Sequence, residues 1–481
     1  MYASYHSFAV LASLMNNLNL IFDMADYRLE WYLKLLYNFA TRMIGDTLQL
    51  GLAGLGTVGS GVYETLCRNY ELLEARAQIP FAVKKIAVGN LNRHREIEVD
   101  PALLTDDWRE LVNDPDIDII IELIGGTDEA YKLVKAALQA GKPVVTGNKA
   151  VLAQYGSELF TLSAEKGTPL YFEASCGGGI PIVQSLQNSL ICNKVEYIAG
   201  IINGTSNYIL TSMKEQGMPF HVALEQAQKL GFAEADPTFD INGWDAAHKA
   251  LILAMLAYGT PLNPDKIAVY GIERVESVDF KLADQLGYTI KLLVVIKHHA
   301  ETDALELRVQ PSFVPKEYLL AKVDGVFNAI AVKGDIVGES IFYGRGAGKN
   351  PTASAVIGDI VLAMRECRLA DYHTGFQPYT KEMSILPMGE TVTPYYVRFR
   401  VQDRPGVIAA IASKFAKYDV DISATTSTNE SVDENGVRRN HLVFMVHACK
   451  WVRLKYVLRE LADNEYIDRH PAVFRIETFN D

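Results

Sequence analysis

Phe232–Lys249, FAEADPTFDINGWDAAHK, gathers Glu234, Asp236, Asp240, Asp245 and Lys249 in one run punctuated by Pro237 and Gly243. It leads into ALILAMLAYG, an apolar stretch that reads as the body of a helix. Asp245 and Lys249 stand four residues apart, so a helix puts them on one face. Alone, such a pair is ordinarily a surface ion pair; here it has Glu234 and Asp240 for company on a proline-containing loop. Grouped carboxylates can hold a substrate ammonium. A lysine beside them can stabilise a developing negative charge and pass a proton. The pattern suits a small zwitterion with a reacting oxygen, and it needs a cofactor from elsewhere in the chain. His248, in the same run, reads as a packing or solvated histidine.

The cofactor signal lies upstream. Thr47–Ala53 is a short apolar strand, Gly54-Leu55-Gly56-Thr57-Val58-Gly59 follows at once, and VYETLCRNYELLEARA reads as a helix. This is G-x-G-x-x-G between strand and helix, the context that binds a dinucleotide. Gly54 permits the turn, Gly56 lets backbone approach a pyrophosphate, and Gly59 allows close helix–strand packing. The helix N-terminus faces the negative charge. A second strand, Val83–Val88, ends in Gly89-Asn90-Leu91-Asn92-Arg93-His94-Arg95. No carboxylate stands there to hold a ribose 2′-hydroxyl, whereas Arg93 and Arg95 suit a 2′-phosphate. NADP(H) is therefore the expected cofactor, with NAD(H) the alternative. Ile117–Ile124, a helix over Asp128–Ala140 and strand Pro143–Thr146 continue a doubly wound α/β pattern. Gly147-Asn148-Lys149 closes that last strand, so Lys149 is expected at a strand's carboxyl end, within reach of nicotinamide or substrate.

Further along, Ser175–Pro181 carries three consecutive glycines, and Asn203-Gly204-Thr205-Ser206-Asn207 opens a helix that Thr205 or Ser206 could cap. Phe342–Thr352 is a second glycine-rich loop, with a helix predicted over Thr352–Arg365. His373–Val392 reads as a linker. Beyond it the elements run βαββαβ, a ferredoxin-like unit. The 481 residues exceed one domain, and the net charge of -12 argues against a nucleic-acid surface. The five cysteines form no CxxC pair and no metal-like spacing, as expected of reduced cytoplasmic thiols. No apolar run reaches the ~20 residues of a membrane span. Residues 1–45 lack the early positive charge and cleavage site of a signal peptide. They read as an extension of unknown role, with Met43 an alternative first residue.

Taken in order, GLAGLGTVGSG, VVTGNKAVLA, FEASCGGGIPIV, GIINGTSNYIL, LGFAEADPTFDINGWDAAHKALILA, FYGRGAGKNPTASAV and VQDRPGVIAAIA resemble homoserine dehydrogenase in its longer form with a C-terminal ACT domain. The resemblance covers all but the extension. It implies a Rossmann-type NAD(P)-binding domain over 46–175, completed by a helix near 352–370. It also implies an α+β catalytic and dimerisation domain over 176–351, a linker over 371–392 and a ferredoxin-like ACT domain over 393–481. The implied reaction is reversible reduction of L-aspartate 4-semialdehyde to L-homoserine, serving threonine, methionine and isoleucine synthesis.

By the same resemblance, Gly54, Leu55, Gly56, Thr57, Val58 and Gly59 hold the cofactor, Lys149 lies next to cofactor and substrate, and Gly346 closes over the cofactor. Glu234, Asp240 and Asp245 are substrate-site carboxylates, and Lys249 is the proton donor, with Lys149 and Asp245 beside it in the catalytic group. A sodium ion is implied on backbone oxygens of Glu173, Cys176, Gly178 and Ile180. Two positions depart from the family: Gly147 replaces an alanine and Cys176 a valine. The resemblance also implies a homodimer or homotetramer and a threonine effector near the Asp403–Gly406 turn, against an ACT unit that only oligomerises. The rival readings are another NADP-dependent dehydrogenase of amino-acid metabolism and a non-catalytic sensor of NADP and an amino acid. The sensor would be expected to lack a lysine in the place of Lys249.

Overall fold

The computed structural model describes residues 47–260, 263–368, 376, 383–428, 431–432, 438–467 and 471–479. The extension over 1–45 and half of the expected linker lie outside the described residues.

Six parallel strands form the first sheet: β1 (Leu48–Ala53), β2 (Phe81–Ala87), β3 (Leu104–Thr105), β4 (Ile119–Glu122), β5 (Val144–Thr146) and β6 (Leu170–Tyr171), in spatial order β3-β2-β1-β4-β5-β6. β4 and β5 are buried at every position, as strands covered on both faces must be. The turn after β1 requires its glycines. Gly54 has φ +100°, and a Cβ there would lie 2.3 Å from the Leu123 carbonyl oxygen. A Cβ on Gly59 would lie 2.0 Å from the Gly54 oxygen, so only glycine lets helix Thr57–Arg68 start this close to the strand.

The helix that completes this domain runs over Lys349–Arg368, one turn earlier than the sequence suggested. Pro351 falls in its first turn, where a missing N–H costs nothing. It packs on Thr57–Arg68 at Gly61, where a Cβ would lie 2.8 Å from Lys349 Cγ, and Lys349 pairs with Glu64 at 2.5 Å.

The second sheet runs, in spatial order, Gly338–Arg345, Phe327–Gly334, Val195–Ile201, Tyr288–His299, Ala304–Pro315, Ala472–Ile476, Val392–Gln402, Arg438–Lys450 and Ile422–Ser427. Helices Gly204–Gln216 and Trp244–Tyr258 pack against strand Tyr288–His299. The last four strands, with helices Val407–Lys417 and Trp451–Leu461, have the ferredoxin-like order. The sequence pattern suggested a separate unit. Instead its last strand joins the preceding sheet, pairing Arg475 with Ser312 and Ile476 with Phe313.

Buried ion pairs fasten this seam. Arg308, 2% exposed, donates to Glu306 at 2.7 Å and to both oxygens of Glu477 at 2.6 and 2.8 Å. Arg398 grips Asp279 at 2.6 and 3.0 Å. Arg308→Leu is expected to destabilise the chain by about 3–5 kcal/mol, because it leaves two buried carboxylates without their cation. Urea unfolding checks this; an unchanged midpoint would refute the seam's importance. The described part of the expected linker is docked rather than free: Phe376 packs edge-on against Phe160 at 5.0 Å, and Ser384–Ile385 pairs with Ala304 and Leu305. No described helix is long and apolar enough to cross a membrane.

Candidate active site

Asp245 opens helix Trp244–Tyr258, which follows Gly243 in the left-handed region (φ +89°). The helix is buried almost all round, so Asp245 and Lys249 point into protein rather than solvent, 3% and 7% exposed. Lys249 Nζ donates to Asp245 Oδ2 at 2.7 Å and to the Ile202 carbonyl at 2.7 Å. An ammonium has three donors, so one N–H of Lys249 remains. Lys149 Nζ forms an ion pair with Asp245 Oδ1. Asp245 thus joins two lysines, one from the end of the nucleotide-binding sheet and one from the second domain.

Each lysine is positioned by its own surroundings. Lys149 is the first residue of helix Lys149–Lys166, capped by Asn148, whose side chain accepts from Val151 N and donates to the Gly126 carbonyl at 2.8 Å. Beneath it, buried Glu122 at the end of β4 accepts from Thr146 Oγ1 at 2.6 Å and from Ile124 N at 2.9 Å. Burial pushes the Glu122 carboxyl up from its usual range.

Burial alone would raise the Asp245 carboxyl, but the Lys249 and Lys149 ammoniums outweigh it and hold the group well below the usual carboxylate range. For Lys249 burial acts downward, and Asp245 outweighs it, keeping the amine above the ordinary lysine value. The resting cluster is therefore fully charged. His248 is pushed down by burial and by Lys149, and its ring packs edge-on against Phe239 at 5.1 Å. That agrees with a packing histidine.

Asn203 is the residue the sequence reading missed. It, not Thr205 or Ser206, caps helix Gly204–Gln216, accepting from Ser206 N at 2.8 Å. Its amide nitrogen donates to Asp240 Oδ1 at 2.7 Å and to Asp245 Oδ2 at 2.8 Å. An asparagine just before Gly-Thr-Ser is a capping signal in its own right. The structure therefore unites Asp240, Asp245, Lys149 and Lys249. It does not bring in Glu234: that residue is exposed, and among the described residues no hydrogen bond or ion pair holds its carboxylate. Its loop is docked nearby, since Thr205 Oγ1 donates to the Phe232 carbonyl at 2.8 Å.

The two later glycine loops touch. Gly179 N donates to the Arg345 carbonyl at 3.0 Å, and a Cβ on Gly178 would lie 2.4 Å from the Gly346 oxygen. Cys176 lies fully buried beneath them, its thiol pushed up to about 12 by burial, so it is no thiolate ligand. The Glu173 and Ile180 carbonyls each accept one backbone hydrogen bond, from Cys176 N and Ile182 N. Among the described residues no group of three or more His, Cys, Asp and Glu side chains could hold a metal ion.

In the nucleotide domain, Gly56 faces open space and precedes a helix N-terminus without a side-chain cap. Free backbone N–H groups there fit a pyrophosphate. On the loop after β2, Arg95 folds back on the carbonyls of Asn90 and Arg93, at 2.7 and 2.9 Å. The Arg93 side chain is exposed, with no hydrogen-bond partner among the described residues.

A Rossmann sheet whose β5 end delivers a lysine onto a buried Asp–Lys pair defines a nicotinamide-nucleotide-dependent oxidoreductase. Residues 54–173 match the family model for the homoserine dehydrogenase NAD-binding domain, and residues 181–361 that for homoserine dehydrogenase. The homoserine dehydrogenases of Neisseria gonorrhoeae and Helicobacter pylori are 40% and 41% identical, over 90% and 89% of this chain and 99% of theirs. The crystal structure of a homoserine dehydrogenase from Thiobacillus denitrificans superposes with a TM-score of 0.83 at 38% identity, over 90% of this chain and 99% of that one. A hyperthermophilic archaeal homoserine dehydrogenase in complex with NADPH superposes with a TM-score of 0.56 at 27% identity, over 66% of this chain and 98% of that one. The chain belongs to the homoserine dehydrogenase family.

Proposed function

We propose that the chain interconverts L-homoserine and L-aspartate 4-semialdehyde in amino-acid biosynthesis, with Lys249 passing the proton. The observation that carries this reading is the buried Lys249–Asp245–Lys149 cluster at the carboxyl end of the nucleotide-binding sheet. What the bound nucleotide supplies is the hydride exchanged with the substrate's oxygen-bearing carbon. The free N–H of Lys249 meets the reacting oxygen, stabilises its negative charge and delivers its proton. Asp245 takes Lys249, Lys149 and Asn203, so it holds the lysines, and its remaining lone pair faces the substrate site in this reading. Asp240 and Glu234 are left for the substrate ammonium. Lys149, with a side chain 36% exposed, is the lysine that a substrate or cofactor reaches from outside. An assay of homoserine oxidation with NADP and with NAD tests the reading; inactivity with both would sink it.

NADP is the preferred nucleotide in this reading. Arg95 shapes the loop and Arg93 is left to meet a 2′-phosphate. Arg93→Ala is expected to raise KM for NADP about tenfold, the value of one charge-assisted contact, while KM for NAD stays put. Arg95→Ala is expected to weaken both. Equal effects of Arg93→Ala on both nucleotides would overturn the preference. In this reading Gly346, close against Gly178, closes over the cofactor. A sodium ion suits the carbonyls of Glu173, Cys176, Gly178 and Ile180: they are hard oxygen donors, and a carbonyl that accepts one hydrogen bond keeps a second lone pair.

A homodimer or homotetramer is supported by strand Gly338–Arg345, the sheet's edge among the described residues, preceded by exposed Ile336 and Val337 (71% and 49%). The ACT unit is read as a regulatory domain with threonine near the Asp403–Gly406 turn, tested by threonine titration of the intact chain's activity.

A further inference from the structure

A cavity of about 900 Å³ lies between the C-terminal unit and the catalytic domain. Its origin is in the seam between them. Strands Ala304–Pro315 and Ala472–Ile476 pair only at Ser312–Arg475 and Phe313–Ile476. On the Ala472 side of those two pairs no further pairing follows, and Gln310, Pro311, Ala472 and Val473 line the gap. The volume falls within the range of small-molecule sites.

Charged side chains ring it. Arg274, Arg398, Arg400 and Arg475 line it, against Glu273 and Glu276. Arg398 is neutralised by Asp279 and Glu276. Arg475 meets the Glu306 and Glu477 carboxylates only through space, without a direct ion pair. It is 2% exposed, donates to Thr391 and Thr393 hydroxyls at 2.7 and 2.9 Å, and lies over the Tyr395 ring at 5.0 Å. Among the described residues it forms no ion pair. The nearby buried carboxylates, Glu306 and Glu477, are held by Arg308. With no carboxylate in direct contact, the N–H groups of Arg475 that the threonines leave over can still take an anion placed against them. Beside it, the buried Tyr395 hydroxyl makes no hydrogen bond of good geometry among the described residues. The walls otherwise are apolar, with Leu458, Val473 and Phe474.

We infer that this interdomain cavity is a binding site for a small carboxylate with an apolar body, its carboxylate on Arg475 and the Tyr395 hydroxyl. The site is separate from the Asp403–Gly406 turn and does not depend on threonine acting there. Exposed Glu273, at the mouth, gives a place for an ammonium and so for an amino acid rather than a plain carboxylate. Such a ligand touches both domains and stabilises one arrangement of the seam.

Calorimetric titration of the full chain tests this, with L-leucine and 4-methylpentanoate as probes of equal body and inorganic phosphate as the control. At least one carboxylate is expected to bind and phosphate not. Arg475→Met keeps the packing over Tyr395 and is expected to weaken binding about tenfold or more, the loss of one charged hydrogen bond. Homoserine dehydrogenation without the probe should be unchanged in that variant, which also reports that it has folded. Arg274→Ala, at the exposed mouth, is expected to weaken binding severalfold. Glu273→Gln should weaken L-leucine alone. No binding of either carboxylate, binding of phosphate in their place, or binding that survives both arginine substitutions would each overturn the assignment.

Discussion

Lys249→Met is expected to lower kcat for homoserine oxidation by about 10²–10⁴-fold, the range contributed by a positioned general acid–base group, with nucleotide affinity nearly unchanged. Methionine fills the space of the lysine stem, so the buried helix keeps its packing. Asp245 keeps a cation in Lys149, so no buried carboxylate is left alone. The loss should therefore fall on the chemical step rather than on folding. Lys149→Met makes the useful contrast. Lys149 is more exposed and sits at the N-terminus of a helix, where a cation is unfavourable. Its removal is expected to raise KM more than it lowers kcat. Steady-state kinetics with nucleotide fluorescence titration separates the cases. If Lys149→Met cost more in kcat than Lys249→Met, the proton would belong to Lys149.

The sequence disclosed those parts of the site that are fixed locally. Gly54 and Gly59 are dictated by one turn of backbone, and Asp245–Lys249 by one turn of helix, so spacing alone identifies them. Asn203 escaped because its role is divided: one side-chain atom caps its own helix while the other binds Asp240 and Asp245, 37 and 42 residues away. Only the cap has a local signature. Lys149 could be placed at a strand end, but its ion pair with Asp245 joins two domains and follows from no local pattern. Glu234 shows the limit of that grouping. Proximity in sequence grouped it with Asp240, yet the turn at Pro237 leaves it in solvent. The βαββαβ order was legible from alternation, whereas its fusion to the catalytic sheet through Arg475 and Ile476 was not. Strand pairing across 163 residues, from Ser312 to Arg475, leaves no periodic trace in either strand.

Asp245→Asn carries the second large expectation, a displaced pH profile. Oxidation of homoserine needs Lys249 neutral, because it must take the hydroxyl proton, whereas reduction of the aldehyde needs the ammonium. Asp245 holds the Lys249 amine above its ordinary value against burial. Wild-type oxidation should therefore climb with pH from about 7 towards the lysine range near 10. With asparagine the main attraction is gone and burial outweighs the weaker pull of Asp240, so the Lys249 amine falls and the rising limb moves to lower pH. Reduction should lose activity at correspondingly lower pH. The maximal rate also falls, by about 10²-fold, since the amine loses the partner that aims it. Stability responds with its own sign. The Asp245 carboxyl is depressed in the folded chain, so its contribution is complete above the unfolded value of about 4 and fades as the pH drops through the folded one. Wild type and Asp245→Asn should thus differ in unfolding midpoint at neutral pH and converge in acid. Superimposable pH–rate profiles for the two proteins would show that Asp245 does not govern the protonation of Lys249, and the proton would have to be assigned to another group.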